Sequence, residues 1–242
     1  MDAQHASDDA ATDAGAETVT RGLPAWVYRD ERFHRLEHQR VLLPSWQIVC
    51  HVNDIPQPGD YRLLDFLARP IVVLRGEDGQ VNAFYNLCRH RAARLLDGDG
   101  DGWSGRCERG RIVCPYHAWS YDLDGRLIAL PRAGAYTGLR REEHALLRPE
   151  TEIWQGFVFV RCEPGGPSVA EMMVPWEDTL AHYRLPELQA LGRVTLRPRS
   201  VNWKTIVENY ADGLHIAVAH KGLSGLAGGS YRLEAGEHVM HM

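Results

Sequence analysis

The sequence predicts an α+β protein in which a domain of short antiparallel strands precedes a segment with helical character. Three observations support this. Between residues 46 and 160, short apolar segments with a period near two alternate with Gly, Pro and Asp turn signals. Two Cys/His pairs lie inside that stretch. After a linker rich in Pro and Gly at residues 161–168, the composition changes to favour helices.

Composition excludes several classes of function. The chain has 242 residues, of which 44% are hydrophobic and 24% charged, enough for one or two globular domains. Residues 1–20 hold five acids and no Lys or Arg, which accounts for the net charge of −5, since the other 27 acids balance 27 bases. Because no basic field remains, we expect no nucleic-acid partner and no binding to anionic lipid. We expect residues 1–20 to form a disordered acidic tail.

The hydropathy pattern predicts neither a membrane span nor export. No apolar run approaches the ~18 residues that a transmembrane helix needs. The acidic start lacks the basic and apolar regions of a secretory signal. A cytoplasmic protein is therefore expected. The five cysteines are an odd number, and in a reducing compartment we interpret Cys50, Cys107 and Cys162 as core or loop thiols.

The first predicted element is an N-terminal helix within residues 21–45. Apolar and aromatic side chains keep roughly helical spacing over residues 30–43, and Pro44 ends the pattern. The side chains that would form its packed face are Phe33, Leu36, His38, Val41 and Leu42. We expect this amphipathic helix to pack on the domain that follows.

Nine strands are predicted next, separated by turns at residues 56–59, 77–79 and 124–125. They cover residues 46–50, 61–66, 71–74, 81–85, 112–113, 119–121, 127–130, 153–154 and 157–160. Short strands at short intervals indicate an antiparallel all-β domain over residues 46–165. In residues 166–242 we predict a helix at 174–183, a strand at 194–198 and helical character over 203–219.

The strongest chemical motif is Cys88-x-His90 followed, after 23 residues, by Cys114-x-x-His117. Two thiolates and two imidazoles on paired loops suit zinc or an iron–sulfur cluster. Zinc sites usually pair one C-x-x-C with another or with two histidines. One Cys and one His from each loop instead suits a [2Fe–2S] cluster in which one iron takes both cysteines and the other both histidines. A zinc-stabilised module remains the alternative.

A second candidate metal site lies at Asp212, His215 and His220. On a regular helix the two histidines diverge by about 140° because the repeat is 3.6 residues per turn. Both can bind one metal if the helix widens into a π-turn or ends between them. Two histidines with one carboxylate form the facial triad of non-haem Fe(II) oxygenases, which leaves positions open for O2 and substrate.

Both motifs, in this order, resemble Rieske non-haem iron oxygenases, the alpha subunits of aromatic ring-hydroxylating oxygenases. The resemblance covers residues 22–242 and rests on residues 88–91, 114–119, 202–204, 208–210 and 212–220. Two features depart from the family pattern. Ala92 and Ala118 stand where the family often has Gly, and the spacer between the loops is longer than usual.

The resemblance implies roles for individual residues. Cys88, His90, Cys114 and His117 would hold the cluster. His215 and His220 would bind a mononuclear Fe(II), with Asn209 as a neighbour of that iron. Asp212 would be the acid that bridges His215 to His117 of a neighbouring subunit. The third iron ligand, an Asp, lies in the family well beyond the last residue of this chain, so residues 166–242 would be the start of a helix-on-sheet catalytic domain.

The resemblance also implies a reaction and partners. Electrons from NAD(P)H would reach the cluster through a reductase or ferredoxin, and the iron would activate O2 to oxidise a small organic substrate, as in aromatic hydrocarbon catabolism. Transfer between subunits implies a homotrimer or a hetero-oligomer with a beta subunit. The alternative is a truncated or electron-transfer-only Rieske protein. Because the sheet partner would be missing, we expect residues 166–242 to be poorly packed in isolation.

Overall fold

The computed structural model describes residues 22–99, 102–192, 199–213, 215–226, 234–236 and 240–241. Their architecture is α+β, as predicted, with every strand pairing antiparallel. The predicted acidic tail at 1–20 and the predicted strand at 194–198 lie outside these residues. Within them, no helix is both long and apolar enough to cross a membrane.

In chain order the strands are β1 (Gln47–His51), β2 (Asp60–Phe66), β3 (Arg69–Arg75), β4 (Val81–Tyr85), β5 (Ser104–Arg106), β6 (Arg111–Val113), β7 (Ser120–Asp122), β8 (Leu127–Ala129), β9 (Glu150–Trp154), β10 (Phe157–Arg161), β11 (Glu234–Ala235) and β12 (Met240–His241). Three sheets carry the fold, in the strand orders β1-β10-β9, β4-β3-β2-β5 and β6-β7-β8, and a two-stranded pair β11-β12 follows near the end.

All nine predicted strands are present, while β5, β11 and β12 were not predicted. Strand β5 reads Ser-Gly-Arg and offers no apolar alternation. It forms because it adds to the edge of β2, where Asp60 pairs with Arg106 and the Arg106 Nε–Asp60 Oδ1 distance is 2.6 Å. Tertiary pairing, not local sequence, therefore defines this strand.

Strand β3 lies between the two hydrophobic cores. Because successive side chains point to opposite faces, Val72 and Leu74 enter one core while Ile71 and Val73 enter the other, all fully buried. The first core also contains Cys88, Cys114, Trp119 and Tyr121. Both Cys/His loops are thus anchored in one packed interior.

The N-terminal helix forms as predicted, although its packed face differs. Asp30 caps α1 (Glu31–Glu37) by accepting a hydrogen bond from the Phe33 N–H at 2.7 Å, and a π-turn over His38–Leu42 continues the helix. The predicted face was wrong in part, because Leu36 and Val41 are exposed while Glu37 is buried. Glu37 is buried because Lys204 lies opposite it.

After the linker, one predicted helix is replaced by several short ones. Ser168 and Glu171 form a reciprocal capping box at the start of α2 (Val169–Met173). A 3-10 turn at Val174–Trp176, α3 (Glu177–Leu180) and a second 3-10 turn at Ala181–Tyr183 follow. The single helix predicted at 174–183 was therefore wrong in extent, and Pro175, which lacks an N–H, separates α2 from the helical turns after it.

The helical segment predicted over 203–219 is also interrupted. Helix α4 (Trp203–Ala211) ends at Asp212, which has extended backbone angles, and α5 (Ile216–Ala219) and α6 (Lys221–Leu226) follow. Gly213 at the break is a poor helix former. Among the apolar side chains of this segment, Ile206, Tyr210 and Val218 are exposed, while Leu214 lies outside the described residues.

Candidate metal centres

The first Cys/His loop is a five-residue turn closed by two backbone hydrogen bonds. The Cys88 N–H donates to the Ala93 carbonyl at 2.8 Å, and the Ala92 N–H donates back to the Cys88 carbonyl at 2.9 Å. The second of these bonds defines an α-turn. Ala92 closes the turn in the left-handed region, with φ of 53°. The turn thus holds Cys88 at its first position and His90 at its third.

The second loop repeats this backbone. The Cys114 N–H donates to the Trp119 carbonyl at 2.8 Å, the Ala118 N–H donates to the Cys114 carbonyl at 3.0 Å, and Ala118 has φ of 55°. The methyl group of alanine disfavours positive φ, yet both alanines adopt it. The left-handed conformation costs each alanine about 1–2 kcal/mol relative to ordinary backbone. The hydrogen bonds of the loop hold the alanine in that conformation.

The two histidines occupy different positions in otherwise matching turns. His90 is third in its turn and His117 is fourth, and their ring centroids are 4.7 Å apart. The thiols of Cys88 and Cys114 are buried, and Cys114 contributes to raising the pKa of Cys88. The structure therefore brings all four predicted ligands together, thiols beside thiols and imidazoles beside imidazoles.

The donor set fits a two-iron cluster better than a single ion. The Nδ1 atoms of His90 and His117 are buried and have no hydrogen-bond partner. A buried unsatisfied nitrogen costs about 1–3 kcal/mol, a cost that ligation of a metal by these atoms would offset. In the described part of the chain, no three Cys, His, Asp or Glu side chains converge on one point as a single metal ion requires. Two thiols beside each other and two imidazoles beside each other match a cluster in which one iron takes both cysteines and the other takes both histidines.

Aromatic rings surround the two imidazoles. His90 stacks on Trp119 at 4.7 Å with an interplanar angle of 10°, and the Trp119 Nε1–H donates to the Tyr136 hydroxyl at 3.4 Å. Tyr116 lies against His117 and is 59% exposed. The sequence did not identify Trp119 and Tyr136 as site residues, because an aromatic residue after a loop is usually only part of a core.

Tyr121 is a further site residue that sequence analysis missed. Its hydroxyl lies 3.4 Å from Cys88 Sγ and accepts a hydrogen bond from the Arg89 N–H at 3.1 Å. Because the backbone amide supplies the donor on one side, the hydroxyl hydrogen is available to the sulfur. This contact emerges only when β7 pairs with β6 and turns Tyr121 inward.

Electrostatics at the first site favour a neutral His90. Burial, together with the neighbouring His117, lowers the pKa of His90. Burial raises the pKa of the Cys88 thiol, and the Tyr121 hydrogen bond acts against that rise. Metal ligation requires a neutral imidazole and a thiolate, so bound iron would have to favour deprotonation of the Cys88 thiol.

The second site is formed around the broken helix. His215 immediately precedes α5 and His220 immediately follows it, and their ring centroids are 5.2 Å apart. The Asp212 Oδ2–His215 Nδ1 distance is 3.3 Å, which orients the ring so that Nε2 can bind a metal. Helix α5 thus ends between the two histidines, which is the second of the two predicted arrangements.

The second site holds fewer donors than a closed metal site. Within the described residues, Asp212, His215 and His220 do not converge as three ligands of one ion. Asn209 lies on α4 and is exposed. Two imidazoles and a carboxylate that orients one of them nevertheless fit part of a mononuclear iron site.

Two family models match the chain. One, the Rieske [2Fe-2S] domain, matches residues 45–145, and the other, the ring hydroxylating alpha subunit (catalytic domain), matches residues 180–237. The matched regions contain the first and the second site, respectively.

Curated proteins of similar sequence include oxygenase subunits. The carnitine monooxygenase oxygenase subunit of Escherichia coli (strain K12) is 32% identical over 222 residues, which are 90% of this chain and 56% of that protein. The N,N-dimethyl phenylurea N-demethylase subunit alpha of Sphingobium sp. (strain YBL2) is 33% identical over 228 residues, 89% of this chain and 48% of that protein. The chain spans about half the length of the curated relatives it matches.

Solved structures show the same fold. The apo form of the quaternary ammonium Rieske monooxygenase CntA superposes with a TM-score of 0.76 at 29% identity, over 89% of this chain and 59% of that one. Naphthalene 1,2-dioxygenase with indole bound superposes with a TM-score of 0.66 at 25% identity, over 85% of this chain and 48% of that one.

Proposed function

Because this chain belongs to the alpha subunits of the Rieske non-haem iron oxygenases, we propose that it forms the electron-accepting half of such an enzyme and the first part of its iron site. Residues 46–165 are the Rieske domain in this proposal, and residues 166–242 begin the catalytic domain. The N-terminal helix within residues 21–45 precedes both and contacts the second through the Glu37–Lys204 ion pair.

The observation that carries the proposal is the pairing of buried thiols with unpartnered imidazole nitrogens. Cys88 and Cys114 would bind one iron of a [2Fe–2S] cluster, and the Nδ1 atoms of His90 and His117 would bind the other. When bound, the cluster accepts and releases single electrons, and a mononuclear Fe(II) offers open positions for O2 and substrate.

At the second site, His215 and His220 would ligate the mononuclear iron. Asp212 holds the His215 ring in one tautomer and orientation through its contact with Nδ1. Its side chain is 50% exposed, so a neighbouring subunit can reach it, and we infer that it bridges His215 to His117 of that subunit. Asn209 would lie beside the iron as a polar neighbour. This arrangement requires an oligomer, either a homotrimer or an assembly with a beta subunit.

The substrate class follows from the names of the relatives. Carnitine, glycine betaine and N,N-dimethyl phenylurea are named as the substrates of proteins that are 30–33% identical to this chain. All three carry methyl groups on nitrogen, so we propose monooxygenation of an N-methylated small molecule. Oxidation of an aromatic ring is the second candidate, which the likeness to naphthalene 1,2-dioxygenase favours.

The electron donor would be a reductase that uses NAD(P)H, directly or through a ferredoxin, in the cytoplasm. A cavity of about 760 Å³ lies beside the first loop and is lined by Arg69, Arg89 and Arg91 but by no acidic residue. Leu67 and Leu147 supply apolar surface to the same cavity. An acidic donor surface with an apolar centre fits this cavity.

The test of the proposed function is an absorption and EPR spectrum of the purified chain before and after dithionite, with iron and zinc quantified. Two cluster irons per chain and a reduced Rieske signal are expected. A colourless, zinc-loaded protein overturns the proposal and leaves a structural metal module. The complete enzyme is then assayed for O2 consumption with its electron donor and with N-methylated or aromatic substrates. A cluster signal without O2 consumption favours the electron-transfer-only alternative.

A further inference from the structure

The helix that leads into the second site is held at its first turn by the N-terminal segment. Lys204 Nζ donates to both carboxylate oxygens of Glu37, at 2.7 and 2.9 Å. The Trp203 Nε1–H donates to the same carboxylate at 3.3 Å. Glu37 and Lys204 are only 6% and 7% exposed, so this is a buried ion pair between α1 and α4.

Aromatic rings complete the surroundings of the ammonium group. The Lys204 Nζ lies 5.3 Å from the ring centre of Tyr28, 5.6 Å from that of Phe33 and 5.4 Å from that of Trp203. These distances are within the range of cation–π attraction. Removing only one charge of such a pair leaves the other buried without compensation, which is strongly destabilising.

A second set of contacts extends from Tyr28 along α4. The Asn202 Nδ2–H donates to the Tyr28 carbonyl at 3.2 Å, while the Asn202 side chain also caps α4 at the Lys204 N–H. The Tyr28 hydroxyl bonds the Glu208 carboxylate. The Glu208 carbonyl in turn accepts from the Asp212 N–H at 2.9 Å, so the contacts run from the N-terminal segment to the second site.

We propose that Glu37 and Tyr28 are positioning residues for the mononuclear iron site, an inference that rests on the proposed function of Asp212, His215 and His220. Helix α4 has nine residues and an exposed apolar side, and so short a helix is marginal without tertiary contacts. The ion pair fixes its first turn and the Tyr28–Glu208 contact fixes its last, which together set where Asp212 and His215 stand.

The experiment measures Co2+ binding by absorption, and amide hydrogen exchange in residues 203–213, on the full chain carrying its cluster. Glu37→Gln is expected to weaken Co2+ binding about tenfold or more, in the range of second-shell losses. It should also speed exchange in α4 and leave the cluster EPR signal unchanged. The double variant Glu37→Leu/Lys204→Met, which restores packing without charge, should recover most of the affinity.

Glu163→Gln is the matched control, because it removes an ion pair with Arg69 at the surface. The inference is overturned if Glu37→Gln binds Co2+ as tightly as the wild type and exchanges the amide hydrogens of α4 at the wild-type rate. If His215→Ala binds Co2+ as well as the wild type, the proposed iron site itself fails. In that case the exchange data still decide whether Glu37 positions α4, since unchanged amide exchange in Glu37→Gln would refute that role.

Discussion

The two candidate metal centres are built in different ways. The first lies on two closed turns anchored in a packed core, where Cys88 and Cys114 are buried. The second lies on short helices joined by a break, where Asp212 and His220 are exposed. The first centre is therefore organised by the sheet around it, whereas the second depends on what holds α4.

Removing a cluster thiol should have the largest effect. Cys114→Ala leaves one iron with a single protein thiolate, so we expect complete loss of the visible absorption and of the reduced EPR signal. Cys107→Ala is the control, because Cys107 is buried in the same core but is not a predicted ligand. Loss of colour in both variants would mean that disturbed core packing, rather than a missing ligand, removes the cluster.

Breaking the buried ion pair should destabilise the connection between α1 and α4. Lys204→Met leaves the Glu37 carboxylate buried and unpaired, which should cost about 3–5 kcal/mol of unfolding free energy. Urea unfolding followed by amide hydrogen exchange in residues 203–211 measures this. Unchanged exchange in these residues would show that α4 does not need the pair.

The same pair gives the wild type a pH dependence. Burial acts to raise the pKa of Glu37, but the hydrogen bonds from Lys204 and Trp203 prevail and hold it below 4.5. A carboxyl group whose pKa is lower in the folded protein stabilises the fold at pH values above its unfolded-state pKa. This stability is lost as the pH falls through the folded-state pKa. Wild type should lose more stability than Glu37→Gln on acidification below about pH 4.5.

Tyr121→Phe should change the first centre without dismantling it. Loss of the hydrogen bond to Cys88 Sγ destabilises the more negative, reduced cluster. The potential should fall by about 40 mV, which corresponds to a net hydrogen bond of about 1 kcal/mol for one electron. Redox titration followed by EPR measures it. Tyr85→Phe, whose hydroxyl bonds the distant Cys162 carbonyl, should leave the potential unchanged.

Relieving the strained turns should give the smallest effect. Ala92→Gly and Ala118→Gly each remove a left-handed alanine, and the gain is partly cancelled by the greater freedom of Gly in the unfolded chain. We expect about 0.5 kcal/mol of stabilisation for each. Ala129→Gly on β8 should instead destabilise the protein. Denaturation of the cluster-loaded protein, followed at the cluster absorption, distinguishes these outcomes.

The sequence was most informative where local pattern and tertiary structure agree. The nine strands from β1 to β10 other than β5, and the loop positions of the cluster ligands, followed from period, turn signals and Cys/His spacing. Prediction failed where a distant residue decides the outcome. Glu37 is buried because Lys204 meets it from 167 positions away. Strand β5 exists because β2 offers an edge.

The candidate sites show the same contrast between what the sequence predicts and what only the tertiary structure reveals. Residue type and spacing identified Cys88, His90, Cys114 and His117 as candidate ligands. The hydroxyl of Tyr121 was not predicted, because its approach to Cys88 depends on the register of β6 and β7. At the second site, the break at Gly213 was not located in advance, although an ending between the two histidines was one of the two arrangements considered.

The matching turns at Cys88 and Cys114 also say what the sequence of such a loop has to encode. Cys-Arg-His-Arg-Ala and Cys-Pro-Tyr-His-Ala differ at all three middle positions, yet they adopt one hydrogen-bonding scheme. The backbone of this turn therefore tolerates different residues at its three middle positions. Moving the imidazole by one place changes where the ligand emerges while the hydrogen bonds of the turn are kept. Transfer of the turn to another sheet would need its Cys and Ala and also the following residue, whose carbonyl accepts from the Cys N–H.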